Sequence, residues 1–213
     1  LQNPDQAVVT GTMGDENDTI IVYYIASEIT INFNYMDDTT NSPAKPFEYD
    51  SLVVKYDNLF STARVSDGEV KGLEIPTRNG YTFAGWYTTQ DYTEDTDVEG
   101  ADIVKSTEDI TLFARWTANT NTPYTIRLHF EGLNTTEYST DDNYPDIDAV
   151  GTTDQTPTED AVRGYIDTEY PTITGFTYSR YAGTPVRVGR TTVIDVYFSR
   201  DYNALTLSHG TGV

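Results

Sequence analysis

The run LEIPTRNGYTFAGWYT at residues 73–88 most constrains the fold of this chain. The odd positions of residues 81–87 hold Tyr, Phe, Gly and Tyr, which predicts a β-strand with one largely aromatic face. Trp86 breaks this alternation, and Gly85 before it predicts a bulge that turns the indole inward. An Asn-Gly dipeptide ending at Gly80 predicts a turn at the entry to the strand.

A second motif, ITLFARW at residues 110–116, follows an acidic loop. In three places an aromatic-rich strand is followed by a short polar joint and a new alternating strand: residues 19–33, 110–130 and 193–207. Each place is typical of the end of one module and the beginning of the next. The motif GYTF at residues 80–83 also recurs as GFTY at residues 175–178, which indicates the same module boundaries.

Residues 29–117 resemble the InlB B-repeat, also called the Listeria-Bacteroides repeat. Its typical form runs PTRxGYTFxGWYT, a polar loop, and a closing strand similar to ITLYAKW. Residues 123–201 lack the Trp of this pattern; with GFTY and a Val-Tyr-Phe closing strand, they look more like a MucBP (mucin-binding protein) repeat. Both resemblances imply small β-grasp-like (ubiquitin-like) modules of bacterial surface proteins.

The fold class predicted from these patterns is mainly β or α+β, with elongated tandem modules. We expect the tail of a preceding repeat at residues 1–26, a B-repeat-like module at 27–118, a MucBP-like module at 123–201, and a stub of a following repeat or a terminal strand at 202–213. Residues 118–123 would be a short polar joint.

Two segments are candidates for the helix that a β-grasp module requires. Residues 52–60 suit either a strand or a short helix, because their apolar positions fit both periods. Residues 158–166 favour a helix, since Thr-Pro precedes them and acidic residues fill the first turn.

Composition excludes several classes of function. The 17 tyrosines and 13% aromatic content indicate a β-rich protein, and the absence of cysteine excludes disulfides, thiol catalysis and cysteine-ligated zinc. The formal charge of −21 repels nucleic acid and anionic membranes. No segment reaches the roughly 18 consecutive apolar residues that span a bilayer. Without a signal peptide or sorting signal, we expect a piece of a longer secreted protein, with export implied by the resemblance.

No enzymatic activity is predicted. His129 lies in an alternating strand and His209 in the terminal stub, and no nucleophile motif adjoins either residue. Paired carboxylates are frequent by chance among 34 acidic residues, and no apolar pocket is indicated that would raise the pKa of one of them.

One acidic loop is a weak calcium candidate, and we predict no other cofactor. Its potential ligands are Asp95, Asp97, Glu99 and Asp102, because alternating carboxylates before a glycine suit Ca²⁺. The loop departs from the EF-hand pattern, with Glu99 at the third ligand position and Ser106 in place of the bidentate glutamate. The alternative is a solvated hairpin loop.

Two further possibilities remain open from the sequence. An intramolecular isopeptide bond would require a buried lysine, and the four lysines are Lys45, Lys55, Lys71 and Lys105. Tyrosines in or near loops offer surfaces for sugar stacking, although core packing is the alternative for most of them. These tyrosines are Tyr87, Tyr92, Tyr138, Tyr144, Tyr170 and Tyr181.

The function predicted is a non-enzymatic segment of a bacterial adhesin or stalk at the cell surface or cell wall, serving as a spacer, in multivalent adhesion, or both. Its partners would be neighbouring repeats and a glycoprotein or glycan of a host or neighbouring cell, without nucleic acid or membrane insertion. The alternatives are a glycan- or mucin-binding module and an accessory segment of a secreted enzyme. We also expect residues 8–25 to form strands that cover an edge of the first module.

Overall fold

A computed structural model describes residues 25–39, 43–93, 95–189 and 191–202. The predicted strands at residues 19–24 and 205–207, and all but the last residue of segment 8–25, lie outside these ranges. The chain divides into two compact units. Unit 1 holds the described parts of residues 1–36, 45–76 and 83–116; unit 2 holds those of residues 37–44, 77–82 and 117–213.

The first sheet has seven strands. They are β1 (Glu28–Asn34), β2 (Ala44–Lys45), β3 (Ser51–Lys55), β4 (Thr77–Arg78), β5 (Tyr81–Tyr87), β6 (Asp97–Val98) and β7 (Ile110–Ala118). Their order is β2-β4-β5-β7-β1-β3, and β6 pairs with β5. A short 3₁₀ helix spans Phe60–Thr62. The sheet packs on a core that includes Ile29, Ile31, Leu52, Trp86 and Leu112.

The second sheet has five strands and carries one helix. The elements are β8 (Thr122–Glu131), β9 (Tyr138–Ser139), β10 (Ile147–Gly151), α1 (Glu159–Glu169), β11 (Phe176–Ala182) and β12 (Val193–Arg200). The strand order is β10-β8-β12-β11, and β9 pairs with β8. Val162 and Ile166 of α1 are buried in the same core as Ile126, Leu128 and Val196. Among the described residues, no helix has the length and apolar composition needed to cross a membrane.

The two sheets share one arrangement of four strands, β3-β1-β7-β5 in the first and β10-β8-β12-β11 in the second. In each order the second strand, β1 or β8, pairs antiparallel with the strand before it and parallel with the strand after it. The equivalent strands β5 and β11 both follow a glycine with positive φ, Gly80 at 79° and Gly175 at 82°. The recurring GYTF and GFTY motifs therefore mark the same turn and strand of each sheet.

The local predictions for these elements are confirmed where the structure tests them. Gly85 has a φ of 135°, and Trp86 after it is only 3% exposed, so the indole turns inward as predicted. The predicted helix at residues 158–166 is α1, and the Thr158 hydroxyl accepts a hydrogen bond from the Ala161 N–H at 3.3 Å. Residues 52–60 form most of β3, a turn and the start of the 3₁₀ helix, and β3 pairs antiparallel with β1 over five residues.

Pro123, which we predicted in the joint between modules, lies within β8. It faces Val150 of β10, whose N–H and C=O both bond to the Tyr165 hydroxyl at 3.3 Å. Because these Val150 groups point away from β8, the missing N–H of Pro123 leaves no hydrogen bond of this pair unmade. Residues 119–121 alone connect β7 to β8. The module boundaries themselves stay a prediction.

Candidate functional site

The face of the second sheet opposite α1 carries a group of polar and aromatic side chains, which we call the outer-face cluster. It consists of Tyr138 from β9, His129 from β8, Arg180 from β11, and Asp195 and Tyr197 from β12. In β8 and β12, buried residues alternate with these partly exposed ones, so each strand gives one face to the core and one to solvent.

Within the outer-face cluster, His129 Nε2 lies 2.7 Å from Asp195 Oδ1, with the side chains 19% and 35% exposed. The imidazole stacks on Tyr197 at a centroid distance of 5.0 Å, and the Arg180 guanidinium lies 3.6 Å from the centre of the same tyrosine ring. Tyr138 meets that ring edge-on at 5.2 Å. These contacts join four strands across the sheet.

The histidine and aspartate alone do not make a nucleophilic site. Such a site needs a hydroxyl or thiol activated by the base, with the base oriented by a carboxylate. In the part of the chain that the structure describes, the side chain that accepts a hydrogen bond from the His129 ring is Asp195 alone. The geometry is that of a cross-strand link between β8 and β12.

Unit 2 also contains an open cleft of about 650 Å³. Its walls include Thr125, Asp148, Tyr165, Arg187 and Thr192, a mixture of hydroxyl, charged and aromatic groups. Arg187 is already paired with the Asp154 carboxylate. The cleft has the size of a small-ligand site and the polar groups to orient a neutral polar ligand.

Tyr124 lines the same cleft, but its hydroxyl is buried. Among the described residues, none is a hydrogen-bond partner of this oxygen. Burial, with a smaller contribution from nearby Tyr165, raises the pKa of Tyr124 to about 12. The phenol is therefore neutral at physiological pH.

The structure does not bring the four calcium candidates together. Asp97 lies in β6, while Asp102 accepts a hydrogen bond from the Glu99 backbone N–H at 2.7 Å. Asp95 has a positive φ of 66° in the turn before β6. Over residues 25–39, 43–93, 95–189 and 191–202, no group of three or more acidic or histidine side chains is arranged to hold a metal ion. Calcium binding stays a prediction, which a comparison of Tm in millimolar calcium and in chelator tests.

All four lysines are described, and none has the burial that an isopeptide bond requires. Lys45 and Lys55 are exposed. Lys105 is an exposed partner of Asp57, and Lys71 pairs with Glu69 at 2.9 Å with 29% of its side chain exposed.

The six loop tyrosines are all partly buried and engaged with other groups. Tyr87 and Tyr92 contact each other at 5.1 Å. Tyr144 packs between Phe130 and Tyr170. Tyr138 lies in the outer-face cluster, and the Tyr181 hydroxyl donates to the Pro157 carbonyl at 3.4 Å. Packing within the units is thus their main role.

Sequence reasoning missed Asp195, Tyr197 and Arg180 as members of a cluster. The alternation of residues 193–199 indicated that Asp195 and Tyr197 share one strand face. Their meeting with His129 depends on the parallel register of β8 and β12, which no local pattern encodes.

Comparison with known families supports the earlier resemblance. Residues 30–115 match the family model of the Listeria-Bacteroides repeat domain, so the predicted B-repeat is confirmed over this range. This family indicates a surface-associated repeat segment. No curated protein matches the chain.

Proposed function

We propose that the chain is a non-enzymatic repeat segment of a bacterial cell-surface protein, whose modules act in series as a spacer and through weak multivalent contacts. The observation that carries this proposal is that two separate cores underlie two sheets with the same four-strand order. Because each module buries its own core, further copies of the same module can be joined along one chain.

A β-grasp-like fold for both modules belongs to the same proposal. In unit 2, α1 lies over a sheet whose central strands, β8 and β12, are parallel. The first sheet repeats this strand order, with irregular chain and a 3₁₀ helix in the place between β3 and β5 where unit 2 has a helix. The resemblance of residues 123–201 to MucBP repeats supports the assignment.

The proposal includes an extracellular location and a mechanical role, which the repeat family and the chemistry of the surface support. The charge of −21 favours solubility and discourages binding to anionic surfaces. Any adhesive contact of one module would be weak, and its strength would grow with the number of modules through effective concentration.

A glycan array tests the proposal directly. We expect the complete chain to show no saturable binding to mucin-type glycans when it is applied as a monomer. Presented in many copies on a bead, the same chain would bind detectably only if weak contacts accumulate. Saturable binding of the monomer at micromolar concentration would contradict a spacer with weak contacts.

The cleft in unit 2 favours a second candidate, a module that binds one glycan tightly. Here we expect Tyr165→Ala to abolish glycan binding, while the control Tyr144→Ala, in a ring packed away from the cleft lining, retains it. Circular dichroism of both variants shows whether unit 2 is still folded. For the third candidate, an accessory segment of a secreted enzyme, the observation needed is a catalytic domain encoded in the same gene.

A further inference from the structure

The second sheet places the first and last strands of its module side by side in parallel. Register pairs run from Thr125 opposite Val193 to Phe130 opposite Phe198. The chain enters β8 at Thr122 and leaves β12 at Arg200, at opposite ends of the pair. Tension on the chain therefore acts along these two strands in opposite directions.

We infer that β8 and β12 form a force-bearing clamp that delays the unfolding of unit 2 under tension. This inference rests on the proposed role as a spacer. Hydrogen bonds between parallel strands are evenly spaced along the pair. When the strands are pulled lengthwise these bonds share the load, whereas pulling across a strand pair breaks them one after another. Forced unfolding follows the unfolding rate, so the barrier to strand sliding sets the strength of the module.

Side chains join the same two strands beyond their backbone ladder. His129 Nε2 and Asp195 Oδ1 lie 2.7 Å apart, midway along the pair. At the exit, the Arg200 N–H donates to Glu131 Oε2 at 2.8 Å, and Arg200 Nη2 donates to the Glu131 carbonyl at 3.0 Å. Each of these bonds opposes sliding of β12 along β8.

The first sheet has a shorter version of this clamp. The register of β1 and β7 runs only from Ile31 opposite Ile110 to Asn34 opposite Phe113, four pairs against six in β8 and β12. Fewer bonds share the load, so the first module yields at a lower force. The two modules would then extend in a fixed order, the first before the second.

Single-molecule force spectroscopy of the complete chain, held by its two ends, tests this order. Unfolding between β1 and β7 releases about 330 Å of chain and unfolding between β8 and β12 about 280 Å, before the folded end-to-end distances are subtracted. We expect the longer step at lower force and the shorter step afterwards. The reverse order would overturn the ranking of the two clamps.

The direction of pulling provides the control for geometry. The chain has no cysteine, so handles attach only at introduced thiols. Thr177→Cys with Ser199→Cys places handles on register partners in the antiparallel strands β11 and β12, where pulling separates the strands pair by pair. We expect first rupture at no more than half of the force needed when unit 2 is pulled through its ends. Equal forces would refute the clamp.

A matched pair of variants tests the side-chain contribution. Asp195→Asn weakens the link across the loaded pair, whereas Asp146→Asn weakens the Arg127–Asp146 ion pair at the other edge of β8. The two aspartates are similarly exposed, at 35% and 39%. At constant force we expect unfolding of unit 2 to become about five-fold faster in Asp195→Asn and to change less than about two-fold in Asp146→Asn.

Equal effects of the two variants, or none from Asp195→Asn, would exclude reinforcement by His129 and Asp195. Failure of the clamp is distinguishable from failure of the spacer role. A strong clamp in a chain whose monomer binds a glycan saturably would retain the clamp and reject the spacer with weak contacts. Modules that unfold at low force in a chain whose monomer binds no glycan would reject the clamp and retain the spacer.

Discussion

The Tyr124 and Tyr165 hydroxyls should have opposite effects on the stability of unit 2. The two rings contact each other with centroids 6.3 Å apart, and a change to Phe keeps both rings in place. The Tyr124 hydroxyl is buried without a partner in the described part of the chain, while the Tyr165 hydroxyl bonds to the N–H and C=O of Val150. One substitution removes an uncompensated polar group, and the other removes hydrogen bonds.

The magnitudes follow from these environments. A hydroxyl buried without a hydrogen bond costs about 1–3 kcal/mol, so Tyr124→Phe should stabilise unit 2 by at least about 1 kcal/mol. Tyr165→Phe should destabilise it by about 0.5–1.5 kcal/mol, because Val150 is partly open to solvent and water replaces part of the lost bonding. For a domain of this size, 1 kcal/mol corresponds to a change in Tm of about 4–8 °C.

The assay benefits from the position of the tryptophans. Trp86 and Trp116 are the two tryptophans of the chain, and both belong to unit 1. Tryptophan fluorescence therefore reports the unfolding of unit 1, while far-UV circular dichroism reports both units. We expect each variant to shift one circular dichroism transition and to leave the fluorescence transition unchanged. A lower Tm for Tyr124→Phe would refute the reasoning.

Replacing glycine by alanine should have opposite effects on stability in two elements. Gly85→Ala, at a φ of 135°, should destabilise unit 1 by about 1–2 kcal/mol in denaturant unfolding followed by fluorescence. Gly164→Ala in α1, with open space around the added methyl, should stabilise unit 2 by about 0.5–1 kcal/mol. Thr158→Ala removes the N-cap of α1 and should lower the free energy of unfolding by about 1 kcal/mol, and Thr158→Ser should restore it. Burial raises the pKa of Tyr124 to about 12, above the value of about 10 in an unfolded chain. The unfolded phenol loses its proton first, so ionisation of Tyr124 leaves the stability of unit 2 unchanged below a pH of about 10 and lowers it as the pH rises from about 10 to about 12. Denaturant titrations between a pH of about 10 and about 12 should show that the free energy of unfolding falls less steeply with pH in Tyr124→Phe than in the unchanged chain. An equal dependence on pH in both proteins would contradict this expectation.

The turns and the helix start of this fold could be predicted from the sequence, because they depend on interactions between residues close together in the chain. The Asn-Gly turn, the positive φ of Gly85 and the N-cap Thr158 each act within a few residues, so their patterns are visible in the sequence. The repeated GYTF and GFTY motifs are visible for the same reason, since each begins with a glycine that adopts a positive φ.

Non-local pairing decided what the sequence left open. Residues 52–60 suited two periods, and antiparallel pairing with β1 decides that residues 51–55 form a strand. The position of Pro123 inside β8 depends on which way Val150 points in the neighbouring strand. The link between His129 and Asp195 depends on a parallel register between strands far apart in the chain, and the calcium candidates depended on a loop conformation that does not bring their carboxylates together.

The Tyr165 hydroxyl has a consequence for the tandem modules proposed above. This hydroxyl bonds to both outward-facing backbone groups of Val150, so these groups are not available for pairing with a strand of another copy at the edge of β10. Repeats on one chain are held at high local concentration, where exchange of strands between neighbours is the characteristic misfolding route. The Tyr165 hydroxyl on α1 thus disfavours pairing of β10 with a strand of another copy. Its bonds to Val150 form only after the helix has docked on the sheet.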